Sequence, residues 1–198
     1  MTGITAKGVA TRERIVDVAA RILRENGVAT TTLGDICASA HIGRGQLFHY
    51  FPDGREELLL AVAHFEAERV IEDQQPHLGH LTSWAAWQTW REVVIERYRR
   101  QGPDCALHAL MSQVSPGTPA AQAVVSELMR QWHQPLREGI VTMQAAGEIR
   151  PEIDPDDAAR AVVASIQGGV QVLMATGSSR HLESGLDLVI AHLRGSAL

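Results

Sequence analysis

Apolar residues in this chain recur at three- and four-residue intervals from one end to the other. No alternating run leads through Asn-Gly or Asp-Gly into a second alternating run. The first pattern is the period of a helix face, and the second removes the usual hairpin signal. The chain is therefore expected to be all-α, with about nine helices. Its 198 residues and 45% apolar content suffice for a sizeable core. No apolar run approaches the roughly 18 residues of a bilayer span, and the opening MTGITAKGVATRER has no apolar signal core. A soluble, cytoplasmic protein with no membrane partner is the expectation. Cys37 and Cys105 stand far apart and outside any CxxC, so both read as small buried hydrophobes rather than as a disulfide or zinc site.

Helix boundaries follow from capping chemistry. A first helix is expected from a cap at Thr11 to Asn26, with Ile15, Ala19, Ile22 and Leu23 on one face and Gly27 as its stop. Two short helices follow, one opened by a Thr32/Asp35 capping box and ending near Ser39, the other running from about Gly43 to Tyr50. Asp53 and Glu56 announce a fourth helix that continues to Pro76. Further helices are expected over 82–101, over 103–114, from Thr118 to Gly147 with Pro135 inside, from Asp154-Pro155-Asp156-Asp157 onward, and over 179–193.

The short pair at 31–50 is joined by a tight Ala40-His41-Ile42 turn. Leu33, Ile36, Ala40, Ile42 and Leu47 face inward, and the second helix is polar and carries Arg44. That arrangement describes a helix-turn-helix, with an ordinary αα-hairpin as the competing reading. Charge distribution bears on the choice. The net charge is −5, yet residues 1–52 hold six Lys/Arg against four Asp/Glu, a net +2, and the rest carries −7. A basic head on an acidic body suits a protein that touches nucleic acid at one end.

The stretch TTTLGDICASAHIGRGQLFHYFPDGREELL resembles the DNA-binding signature of the TetR family of bacterial transcription regulators, and the likeness extends over residues 11–63. The resemblance implies a helix-turn-helix DNA-binding domain at 1–52 and a helical effector-binding and dimerisation domain at 53–198. This chain departs from the pattern at His41 (a glycine in the family), Gly43 (serine), Phe48 (tyrosine) and Arg55 (lysine, after a one-residue insertion). Arg44 is the expected base reader, because its fork matches guanine O6 and N7; a phosphate contact is the alternative. Gln46 could bond an adenine edge, and Gly45 permits close approach. Thr31, Thr32, His49, Tyr50 and Arg55 read as phosphate or groove-wall contacts, although Tyr50 could equally pack the head onto the next helix.

Beyond residue 63 the residues speak for themselves. The helix after Asp154 is apolar nearly all round, and Ala161, Ser165, Gly168 and Gly169 give it a surface on which another helix could lie closely. With Val172, Leu186 and Ile190 these form the expected homodimer interface; a central helix in a monomeric bundle is the alternative. On the 82–101 helix Trp84, Trp87, Trp90, Val94, Ile95 and Tyr98 share a stripe with Arg91 at its centre. Arg91 is either neutralised by a carboxylate, stacked on a ring, or lining a cavity. Met129, Trp132, His108, Met111, Gln167 and Gln171 complete the expected effector pocket.

His77 and His80 are close enough to chelate but have no third ligand nearby. HExxH, GxSxG, P-loop and GxGxxG motifs are all missing. Neither a cofactor nor a metal is expected, and an enzyme lacks positive support. The expected partners are double-stranded DNA, a small-molecule effector and a second copy of the chain. The expected function is a ligand-released repressor on a near-palindromic operator. The alternatives are a helix-turn-helix regulator without a ligand and a helical metal-dependent enzyme.

Overall fold

The computed structural model describes residues 5–102, 107 and 118–195. The expected 103–114 helix, Cys105, His108 and Met111 lie outside the described residues. Among those described there are eight helices and no strand: α1 Ala6–Asn26, α2 Leu33–Ser39, α3 Arg44–Tyr50, α4 Arg55–Glu72, α5 Trp84–Gln101, α6 Pro119–Ala145, α7 Pro155–Thr176 and α8 Arg180–Arg194. The described chain forms two compact units, one made of residues 5–69 and 118–125, the other of 70–102 and 126–195.

In the first unit α1 begins a turn and a half earlier than its sequence suggests. Thr5 is the N-cap, accepting from the Gly8 N–H at 3.3 Å. Thr11 sits inside the helix and donates its hydroxyl back to the Lys7 carbonyl at 2.8 Å, the local bond that also makes threonine look like a cap. Ile15, Ala19, Ala20 and Leu23 turn inward, as do Ile36, Leu47, Phe51 and Leu58, and all are fully or nearly fully buried. Gly27 ends the helix at φ +85°, and Arg24 reaches the buried Glu66 of α4 to form an ion pair. Thr32 and Asp35 form the full capping box at the head of α2. The start of α4 is different from the expectation: Glu57, not Glu56, reaches back to the Asp53 N–H at 3.1 Å, and the helix stops at Glu72.

The second unit is built on three indoles. Trp87, Trp90 and Trp132 are all buried, the first two edge to face with centroids 5.8 Å apart. Gln74, itself wholly buried, places one amide oxygen at 3.0 Å from the Trp90 Nε1 and 3.1 Å from the Trp132 Nε1, while its own N–H₂ donates to the Val70 carbonyl at 2.7 Å. One side chain thus satisfies two buried donors. Ser83 caps α5 through the Ala86 N–H, and Asp154 caps α7 through the Asp157 N–H at 2.8 Å, with Pro155 in the first turn. α6 continues through Pro135 to Ala145.

α7 has a mean hydropathy of 1.3 over its most apolar stretch, enough by length and composition to cross a bilayer, a test that a buried core helix also passes. Val162, Ile166, Gly169 and Leu173 on it are buried. It packs on α8 so closely that a Cβ on Gly169 would fall 2.4 Å from the Leu182 Cα and 2.8 Å from the Leu182 N. Only glycine permits that approach.

Candidate nucleic-acid interface and effector-binding unit

The interface is organised by the turn between α2 and α3. His41 adopts φ +52°, the left-handed region that a glycine enters freely and that costs other residues about 1 kcal/mol or more. The Ala40 carbonyl just before it accepts from the Arg14 Nη1 at 2.7 Å, tying the turn to α1. Leu47 is the buried anchor of α3. With it turned in, Arg44, Gly45, Gln46 and His49 all lie exposed, and Phe48 keeps 46% of its surface open. A Cβ on Gly45 would meet nothing within 4 Å, so the fold itself does not require glycine there.

Three expected DNA contacts are occupied within the protein. Thr31 is only 3% exposed and its hydroxyl donates to the Gly27 carbonyl at 2.8 Å. Arg55 donates to the Thr31 carbonyl at 2.6 Å and the Val28 carbonyl at 2.7 Å, so its guanidinium clasps the α1–α2 loop. Thr32 exchanges bonds with Asp35. Its hydroxyl first, then its backbone N–H, hold the Asp35 carboxyl below the usual carboxylate range. Tyr50 is half-buried with its ring edge to face with His49 at 5.0 Å.

The effector residues are not gathered into one place. Trp87 and Trp132 are 0% and 1% exposed, which places both in the core. Among the described residues the Trp87 Nε1–H meets no acceptor. Tyr98 is likewise buried, beneath the Arg97 guanidinium. Trp84 lies aside, donating to Glu148 at 2.9 Å with Arg194 over its ring. Arg91 is neutralised by a carboxylate from α8: its Nε and Nη2 lie 2.5 and 2.7 Å from the two oxygens of Asp187. Met129 and Gln167 both line a groove of about 470 Å³ between α6 and α7. Gln171 is exposed and outside it.

The expected interface residues divide likewise. Gly169, Leu186 and Ile190 are buried within the chain, and Ser165 packs on Gly185; these belong to the α7–α8 seam of a single chain because the helices approach there. Ala161 and Gly168 are exposed, and Val172 is half-buried. Gln74, Asp187 and Glu66 were not anticipated; each earns its role only through partners far along the chain. His80 bonds the Pro76 carbonyl, and among the described residues no three His, Cys, Asp or Glu side chains converge as metal ligands.

A capped three-helix head whose third helix presents Arg44, Gly45, Gln46 and His49 outward defines a helix-turn-helix DNA-binding protein. Residues 15–62 match the family model for bacterial regulatory proteins of the tetR family, and residues 84–189 match the tetracyclin repressor-like C-terminal domain. The chain belongs to the TetR family of transcriptional regulators, a family of DNA-binding proteins rather than enzymes. An uncharacterised HTH-type regulator of Mycobacterium tuberculosis is 39% identical over 90 residues, which is 46% of this chain and 43% of that protein, less than half its length. The HTH-type transcriptional repressor DhaR of a Mycobacterium species is 24% identical over 92% of this chain and 91% of its own. A TetR regulator from Chloroflexus aurantiacus superposes with a TM-score of 0.75 at 26% identity, covering 97% of this chain and 98% of that one. SmeT, the repressor of a Stenotrophomonas maltophilia multidrug efflux pump, was solved in complex with triclosan; that complex gives 0.67 at 24% identity, covering 92% and 91%.

Proposed function

We propose that this protein is a cytoplasmic, ligand-responsive repressor that binds a near-palindromic operator as a homodimer and leaves it when a small, largely hydrophobic or aromatic effector binds the second unit. The observation that carries the DNA-binding part is the exposed Arg44–Gly45–Gln46 edge of α3, whose glycine the fold does not itself need. Arg44 reads a guanine, and the bare Gly45 backbone leaves room for the groove. Two copies, meeting through the exposed small residues Ala161 and Gly168 of α7 with Leu188 of α8, 52% exposed, would set their recognition helices about 34 Å apart or a multiple of it. DhaR bears the name of a repressor and SmeT was solved with triclosan, which supports the repressor and effector parts. An effector acts only through its differential affinity for the DNA-competent and released states.

The test is Arg44→Ala against an operator selected from a randomised duplex library, read by fluorescence anisotropy. The selected site should lose about 1–3 kcal/mol and random duplex much less. Equal losses on both would make Arg44 a phosphate contact. A ligand-free regulator is favoured by one observation, the close packing of Trp87, Trp90 and Trp132 about Gln74, and it predicts that no small molecule releases the selected duplex.

A further inference from the structure

Grooves on the described surface differ in the charges that line them. One of about 740 Å³ on the first unit sets Arg12 and Arg14 among Glu13, Asp17 and Glu68. Another of about 740 Å³ on the second unit sets Arg150 among Glu152, Asp154 and Asp157. The α6–α7 groove is unlike both. Its floor is Met129, Val163 and Ala164, and its only ionisable lining residues are Arg130, His133 and Arg160. On a chain of net charge −5, a groove lined by two arginines and by no described carboxylate stands apart from those two.

The carboxylates that balance those cations lie outside the lining. Arg130 is held by Glu127 through contacts of 2.9 and 2.5 Å, one helical turn back on α6. Arg160 is held by Asp157 at 2.6 Å in the same way on α7, and the His133 Nε2 stands 3.3 Å from Asp156. Both arginine side chains are more than half exposed, at 60% and 63%. Exposed pairs of this spacing contribute little and exchange readily. Each guanidinium also has more donors than its single carboxylate uses, so it can serve an incoming anion without surrendering its partner. A volume of about 470 Å³ falls within the range of about 300–1,000 Å³ typical of small-molecule clefts.

We propose that the α6–α7 groove binds an organic anion with an apolar body, its acidic head held by Arg130 and Arg160 and its tail on Met129, Val163 and Ala164. A neutral molecule would leave the rim cations unused, and a cation would be repelled. This names the chemical class of the effector and rests on the ligand-responsive reading for its regulatory consequence only.

Three probes with one ten-carbon tail separate head from tail: decanoate, decan-1-ol and decyltrimethylammonium, titrated calorimetrically into the full chain. Decanoate should bind at least tenfold more tightly than the alcohol, and the ammonium more weakly than either. Combining Arg130→Glu with Arg160→Glu should invert that order, and Ala164→Trp should weaken all three at least tenfold. All three positions are exposed, so circular dichroism should report an unchanged fold. Equal affinity for decanoate and decanol, an order indifferent to the two glutamates, or an indifferent Ala164→Trp would each overturn the assignment. A separate arm measures release of the selected duplex by decanoate. Release in the wild type but not in Ala164→Trp is the expected result. Arginine-dependent binding without release would overturn the regulatory reading while the ligand class stands, and release that persists in Ala164→Trp would put the effector site elsewhere.

Discussion

Replacing Gln74 with leucine tests how the second unit holds its core. Leucine has nearly the same volume, so the packing is retained and the polar groups alone are removed. Three groups then lose their partner: the indole N–H of Trp90, that of Trp132, and the Val70 carbonyl. All three lie where water does not reach, since Gln74, Trp90 and Trp132 are at most 1% exposed. A stranded buried group costs about 1–3 kcal/mol, and some of that is offset by no longer burying an amide. The net loss should be roughly 3–6 kcal/mol, out of a total stability of about 5–15 kcal/mol. Urea unfolding followed by far-ultraviolet circular dichroism measures it, and the melting temperature should drop by on the order of 10 °C. The same substitution made together with Trp90→Phe and Trp132→Phe should cost much less, because the stranded donors are gone. A loss below about 1 kcal/mol in the wild-type background, or an undiminished loss in the double phenylalanine background, would refute the bridging role.

Other perturbations follow from single contacts. Gly169→Ala should cost more than about 2 kcal/mol by forcing α7 from α8, whereas Gly45→Ala, inside α3 with nothing within 4 Å, should be neutral or slightly stabilising in the absence of DNA; similar unfolding curves for the two would contradict the close approach. His41→Gly should stabilise the head by about 1 kcal/mol by relieving a left-handed residue, seen as a higher urea midpoint. Asp35 is held below its ordinary pKa by Thr32, so it stabilises above about pH 4 and loses that contribution as pH falls toward its lowered value. Asp35→Asn should flatten this acid limb in a pH series of unfolding midpoints.

What the chain declares in advance is local chemistry. The Gly27 stop, the Thr32/Asp35 box and the Asp154-Pro155 start each depend on residues within a turn of one another, and each stands where the sequence puts it. Thr11 misled because its hydroxyl bonds a backbone carbonyl inside a helix much as a cap bonds a backbone N–H outside one. Arg91 was legible as an anomaly but not as a solution: its carboxylate lies 96 residues away on α8. Gln74 fell in the expected tail of the fourth helix, and nothing short of the tertiary fold would bring Trp132 to it. Arg55 was assigned outward by family resemblance, whereas its two carbonyl partners on the α1–α2 loop are matters of packing.

The approach of Gly169 to Leu182 has a consequence for how the chain folds. α7 and α8 are joined through only three residues, 177–179, so their seam closes with little loop entropy and needs no distant segment to be in place. A hairpin of two helices with such local contacts forms on the timescale of helix growth and short-loop closure, on the order of microseconds. That speed matters because α7 is the most apolar long helix among the described residues, with a mean hydropathy of 1.3. While nascent and unpaired it is the stretch most prone to non-native association. If this hairpin closes first it hides α7 before the rest of the unit assembles, and a substitution that slows the seam should then lower the yield of folded protein by more than its equilibrium cost alone would suggest.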